Sequence, residues 1–204
     1  MITYIIIGIT LLVSIPCFSN RSLFYKLSLS PYNVVHKNQW YRLLSHGFVH
    51  ANYTHLLINM LVFWSFGQNV EAIMGMITGG GSSSAFVSLY LGALIFASIY
   101  DVVKYKDNYY YNSIGASGAV TAVVFTSIFF NPWSKIYFFA IVPIPAIVFG
   151  ALYLWYESYM SGKKGDNVNH HAHIFGAVYG LLFPIALRPE LLSHFINQLL
   201  NFRF

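Results

Sequence analysis

Ile114-Gly115-Ala116-Ser117-Gly118-Ala119-Val120 opens an apolar run over residues 114–130, 17 residues or roughly 25 Å of helix. It places one hydroxyl, that of Ser117, between two glycines. Open backbone there lets a substrate come close, and it equally lets a neighbouring helix come close. A serine hydroxyl is a weak nucleophile until a base takes its proton, so the partner to seek is a histidine on another apolar segment. His173, in Ala172-His173-Ile174-Phe175-Gly176, is that candidate. Both segments carry small residues at four-residue spacing, Gly118 and Ala122 on one, Gly176 and Gly180 on the other, which gives the helices a reason to touch.

Composition sets the medium. With 57% hydrophobic, 19% aromatic and 8% charged residues and a mean hydropathy of +0.59, 204 residues cannot cover a water-soluble globule. The chain is expected to be an integral membrane protein with the lipid bilayer as its surroundings. Eleven basic and six acidic residues give a net charge of +5 without a basic run or aromatic-basic interleaving, so nucleic acid is not the indicated partner. The single cysteine, Cys17, excludes an intramolecular disulfide and a cysteine metal cluster within one chain.

Six spans are expected, at residues 2–18, 53–74, 85–100, 114–130, 136–156 and 170–187, forming one domain over residues 1–204. The fold class is thus an all-α membrane protein, a six-helix bundle with an interfacial first loop. Residues 2–18 lack a basic start and a small-residue cleavage site, and the approach to Cys17 is not a lipoprotein signal; they are read as a helix that stays. Residues 19–52, with Arg21, Lys26, Lys37 and Arg42 among Leu, Tyr and Trp40, should lie in the interface. Residues 79–84 read as a flexible Gly/Ser turn, and Asp101, Lys104, Lys106 and Asp107 as a polar loop. Pro143 and Pro145 are expected to kink or loosen the fifth helix, and residues 189–204 to form a short interfacial helix.

Polar residues within spans need a purpose or a partner. His46, His50, His55 and Asn59 crowd the start of the second span, and His55 and Asn59, four apart, share a helix face. Neutral imidazole and carboxamide both offer N–H donors. An oxyanion hole needs such donors, each worth about 3–4 kcal/mol in acyl transfer, and the Ser117 backbone amide can add another. An acidic third member is less evident, since Glu157 and Asp166 are read as loop residues and Glu71 lies well below His55. A Ser117–His173 dyad is expected.

In these residues the chain resembles the rhomboid intramembrane serine proteases. The matching positions are Trp40-Tyr41-Arg42, His50, His55-Leu56-Leu57-Ile58-Asn59, Glu71, Gly115-Ala116-Ser117-Gly118, and Ala172-His173-Ile174-Phe175-Gly176 with Gly180. The resemblance implies Ser117 as nucleophile, His173 as base, and His55, Asn59 and the Ser117 amide as the oxyanion hole. It implies structural support from Arg42, His50, Glu71, Gly115, Gly118, Gly176 and Gly180, transmembrane proteins as substrates, and no cofactor or metal. One departure is Thr121, where many rhomboids carry an aromatic residue that stacks on the catalytic imidazole.

Two other classes compete. A rhomboid-like protein that binds transmembrane clients without cutting typically lacks the serine or the histidine, and both are present here. A metal-binding membrane protein would use His170, His171 and His173, or His46 and His50, but no carboxylate or thiolate is expected beside them within the spans. Basic residues crowd the Ser117 face (Arg21, Lys26, Lys37, Arg42, Lys104, Lys106, Lys163, Lys164) over the other (Lys135, Arg188, Arg203), which by the positive-inside rule puts that face in the cytoplasm. The resemblance implies the opposite, a bacterial plasma-membrane protein whose site opens to the extracytoplasmic side.

Overall fold

The computed structural model of the chain describes residues 1–79, 82–138, 141–163 and 168–201. Helix α1 (Ile2–Ser19) leads into three short helices, α2 (Arg21–Leu27), α3 (Pro31–His36) and α4 (Arg42–Ser45), and a 3₁₀ turn, His46–Phe48. Then come α5 (Tyr53–Ile77), α6 (Ser82–Tyr105), α7 (Ser117–Phe130), a hairpin of β1 (Lys135–Phe138) and β2 (Val142–Pro145), α8 (Ala146–Ser161), α9 (His170–Leu187) and α10 (Leu191–Leu200). Among the described residues, four helices, α1, α5, α6 and α9, are long and apolar enough to cross a membrane.

Helix α7 is the axis of the bundle. Every residue after Ser117 is buried, and α5, α6 and α9 all pack on it, α9 most heavily. At 14 residues it is only about 21 Å long, shorter than the ~30 Å hydrocarbon core, so its start can lie below the membrane surface. Apolar burial does not drive helices together in lipid, so close packing must. A β-carbon at Gly176 would lie 2.1 Å from Gly118 O, and one at Gly180 would lie 2.2 Å from Ala122 O. Glycine alone permits that approach. At the far end of α7, the α10 side chain Phe195 stacks on Phe129 with centroids 4.7 Å apart, and Trp133 Nε1 donates to Gln198 O at 2.9 Å. The expected C-terminal helix is therefore present, shorter than residues 189–204; residues 202–204 lie outside the described residues.

The helix starts follow their caps. The Asn52 side chain accepts from His55 N at 2.8 Å to open α5, and Asn169 accepts from Ala172 N at 3.0 Å to open α9. The first loop folds as α2 to α4 and is tied to the segment before α7 by reciprocal bonds, Leu29 N to Ser113 O at 2.9 Å and Ser113 N to Leu29 O at 3.0 Å.

Three expectations need correction. The first residues of the expected fifth span form the hairpin, with Lys135 opposite Pro145 and Tyr137 opposite Pro143. Proline cannot supply an interior helix amide, so both prolines fall in the hairpin and the helix begins after them. The early α8 amides are satisfied from outside, Ala146 N by Ser134 O and Ile147 N by Pro132 O, each at 2.8 Å. Pro143 and Pro145 therefore delimit α8 rather than kink it. Second, Asp101 and Lys104 are on α6, which runs on to Tyr105; the buried Asp101 carboxylate accepts from Asn169 Nδ2 at 2.6 Å and ties α6 to the α9 cap. Third, the Gly/Ser turn is cut short because α6 already begins at Ser82; Gly80 and Gly81 lie outside the described residues.

Candidate active site

The elbow before Ser117 is set by backbone geometry. Gly115 has φ +112, a region open to glycine, and its N–H donates to His46 O at 3.0 Å. The next amide, Ala116 N–H, donates to His50 Nε2 at 3.4 Å. Ser14 Oγ donates to Phe48 O at 2.8 Å and lies 2.9 Å from His50 Nδ1, so that nitrogen carries the imidazole proton and Nε2 is left to accept. His50 thus joins α1, the first loop and the elbow.

Burial, with the nearby His55 second, pushes His50 down to about 3, and burial pushes His46 down to about 4. Their ordinary value is near 6.5. The unfolded chain binds both protons below that pH and the folded chain does not until about pH 3–4, so stability is lost as pH falls through this window, by about 1.4 kcal/mol per unit and histidine. Thermal unfolding in detergent should show a melting temperature that declines from pH 7 to pH 5, with a shallower decline in His46→Gln. Equal slopes in the two proteins would contradict this.

Ser117 is the first residue of α7, and among the described residues no side chain caps that helix. Its amide is one of the unpaired N–H groups at a helix N-terminus, where an anion is favoured. His173 lies in the first turn of α9, which packs against the first turn of α7: a β-carbon on Gly118 would sit 3.1 Å from Ala172 O. No hydrogen bond joins Ser117 to His173 among the described residues; such bonds are often long until substrate binds.

His173 Nδ1 lies 3.0 Å from Glu157 Oε1, and His170 Nδ1 lies 2.5 Å from Glu157 Oε2. Glu157 is on α8, 3% exposed, and not in a loop as expected. Tyr153, one turn earlier, stacks on His173 with centroids 6.3 Å apart, and its hydroxyl lies 3.2 Å from Thr121 Oγ1. The aromatic contact that Thr121 cannot make is thus supplied from the neighbouring helix. The sequence offers Glu157 only as a loop carboxylate and does not single out Tyr153. Their signal is faint: a tyrosine and a carboxylate four apart on a helix that also carries Tyr156, Ser158, Tyr159 and Ser161, opposite histidines three apart.

His55 and Asn59 share a face of α5, as their spacing predicts. A β-carbon on Gly115 would lie 3.2 Å from His55 Nε2, so the imidazole tip is beside the elbow. Asn59 Nδ2 donates to His55 O at 2.9 Å, which uses one of its two amide protons. Arg42, 6% exposed, holds the first loop through Nη1 to Tyr25 O at 2.7 Å and Ser28 O at 2.6 Å, with Nε to Gln39 Oε1 at 2.7 Å. Glu71 accepts from Ile2 N at 2.7 Å and from Thr3 N and Oγ1 at 3.0 and 2.8 Å, capping α1 from α5.

A carboxylate does accompany His170 and His173 within the bundle, contrary to expectation, and the ligand atoms of the three residues lie within 4.8 Å of one another. Two imidazole nitrogens and a carboxylate could hold a divalent ion. In the structure both carboxylate oxygens and the Nδ1 of each imidazole are engaged with one another in hydrogen bonds.

A helical bundle with four helices long and apolar enough to cross a membrane, a serine at the N-terminus of its short central helix and a histidine in the first turn of the helix packed most heavily on it, defines a polytopic helical membrane protein. The Rhomboid domain family matches residues 37–190, and the chain belongs to the rhomboid family. It is 29% identical over 147 residues to "Rhomboid protein 1, mitochondrial" of Saccharomyces cerevisiae, covering 69% of this chain and 40% of that protein. It is 23% identical over 150 residues to "RHOMBOID-like protein 12, mitochondrial" of Arabidopsis thaliana, covering 66% and 43%. It is also 27% identical over 169 residues to "Rhomboid protease GluP" of Bacillus subtilis, covering 83% and 30%. The matched stretch spans less than half the length of each of these relatives.

Proposed function

We propose that this chain is an intramembrane serine endopeptidase that cleaves transmembrane segments of membrane proteins. The observation that carries the proposal is the rhomboid match over residues 37–190, with Ser117 and His173 on facing first turns of α7 and α9. Ser117 Oγ attacks the scissile carbonyl while His173 Nε2 takes its proton; His55, Asn59 and the Ser117 amide receive the developing oxyanion. His173 then returns the proton to the leaving amine, and water attacks the acyl-enzyme. A small cavity beside Ser117, whose largely apolar wall includes His46, Ser98, Asp101, Ser113 and Asn169, supports the supply of that water. A client-binding protein without activity is the alternative, disfavoured because the serine and the histidine are both present.

The client, itself a helix, has to enter sideways. Helix α8 packs mainly on α9 and only lightly on α7, which supports a path between α8 and α5. Phe63 is fully buried against Phe86 and Tyr90, so it faces α6; Val62 and Phe66 are the α5 residues on the α8 side. For orientation, the buried Arg42 is engaged with backbone carbonyls, which takes one charge out of the count; a site opening to the extracytoplasmic side is carried by membership of the rhomboid family. The membrane we propose is a bacterial plasma membrane. The yeast and Arabidopsis relatives carry mitochondrial names, and fractionation of the source cells decides between the two.

The test is to incubate purified protein with a panel of transmembrane segments, some with helix-breaking residues, and map cuts by mass spectrometry. Cleavage within the membrane-embedded stretch is expected, fastest near helix breakers. Bridging Val62→Cys to Phe149→Cys with a short cross-linker, in a Cys17→Ser background, should slow it. No cut in any segment would leave the client-binding alternative; an unslowed bridged enzyme would move the path elsewhere.

A further inference from the structure

Glu157 has a cost that the dyad does not explain. A carboxylate buried inside a membrane bundle is expensive unless its hydrogen bonds are complete and serve something. Here both oxygens are occupied, Oε1 by His173 Nδ1 at 3.0 Å and Oε2 by His170 Nδ1 at 2.5 Å. An ionised carboxylate only accepts, so each imidazole presents Nδ1–H to it. For His173 this leaves the lone pair on Nε2, the nitrogen that has to take the Ser117 proton.

We infer that Glu157 is the positioning residue of the proposed base, holding His173 in its Nε2-accepting tautomer and steadying the imidazolium formed when Ser117 attacks. In that step the Oγ–H proton passes to Nε2, the new bond joins Oγ to the scissile carbon, and the carbonyl electron pair moves onto the oxyanion. The positive charge so created lies on a ring whose other nitrogen already faces the carboxylate, as in acid-assisted serine proteases on unrelated folds. His170 fills the second oxygen and keeps the carboxylate from turning away. Tyr153, on the same face of α8, stacks on the ring, so α8 sets both the plane and the tautomer of the base. The inference rests on the serine-protease reading above.

The experiment measures cleavage of a transmembrane peptide in proteoliposomes by the wild type, Glu157→Gln, Glu157→Ala and Ser117→Ala, with kcat and KM separated and folding followed by melting temperature. Glu157→Gln keeps the shape and one acceptor but removes the charge, so it remains informative if Glu157→Ala does not fold. Its kcat is expected to fall by about tenfold or more with little change in KM or melting temperature, and fluorophosphonate labelling of Ser117 to slow in parallel. A smaller fall in kcat, or a loss matched by loss of fold, overturns the inference. A wild type inactivated by chelation and restored by Zn²⁺ alone also overturns it, because the three side chains would then be metal ligands. Failure of the serine-protease reading is seen separately, as unchanged cleavage by Ser117→Ala.

Discussion

Ser117→Ala is expected to leave a folded protein whose cleavage of a membrane-spanning client falls to background. The substitution removes one oxygen from a site bordered by Gly115, Gly118 and Ala172, so it neither opens a sizeable cavity nor breaks a hydrogen bond to another described residue. Without the nucleophile, the remaining donors can bind a carbonyl but cannot form an acyl-enzyme. Loss of a serine nucleophile costs about 10⁶-fold in kcat in enzymes of this chemistry. The check is rate and melting temperature on the same preparation. Residual cleavage above about a hundredth of wild type would remove the nucleophile assignment.

Gly176→Ala gives the second large effect, through geometry. Its β-carbon would lie 2.1 Å from Gly118 O, a backbone atom, so α7 and α9 have to separate by about 1 Å at the level of Ser117 and His173. Such overpacking costs about 1–3 kcal/mol, and a shift of this size between reacting groups costs about 10²-fold in rate. Gly180→Ala meets Ala122 O at 2.2 Å, one turn further from the site. It should lower the melting temperature about as much and slow cleavage less. Equal losses of activity in both variants would mean that the spacing at the site itself is not what matters.

These contacts show which parts of the molecule were legible in the sequence. Long apolar stretches mark α1, α5, α6 and α9 because spanning a bilayer demands length and hydrophobicity, and the Gly/Ala spacing on α7 and α9 forecasts their packing. The hairpin before α8 was not legible from hydropathy: Tyr137, Ile141 and Val142 are as apolar as a helix, and only the proline amide deficit distinguishes them. Asp101 and Lys104 look like loop residues because charge ends a hydropathy run, yet Asp101 is buried against Asn169 and Lys104 lies where α6 ends. Within the site, His50, Ser117 and His173 stand in motifs that can be read locally. Glu157 and Tyr153 cannot be read so, because their partners are across a loop and on other helices, and nothing in their own neighbourhood names His173 or Thr121.

Activation of Ser117 by His173 can be read from a fluorophosphonate adduct mapped by mass spectrometry. One modified residue, Ser117, is expected in the wild type, and none above background in His173→Ala, because the hydroxyl then lacks its base. An adduct on any other residue, or labelling of His173→Ala at the wild-type rate, would contradict it.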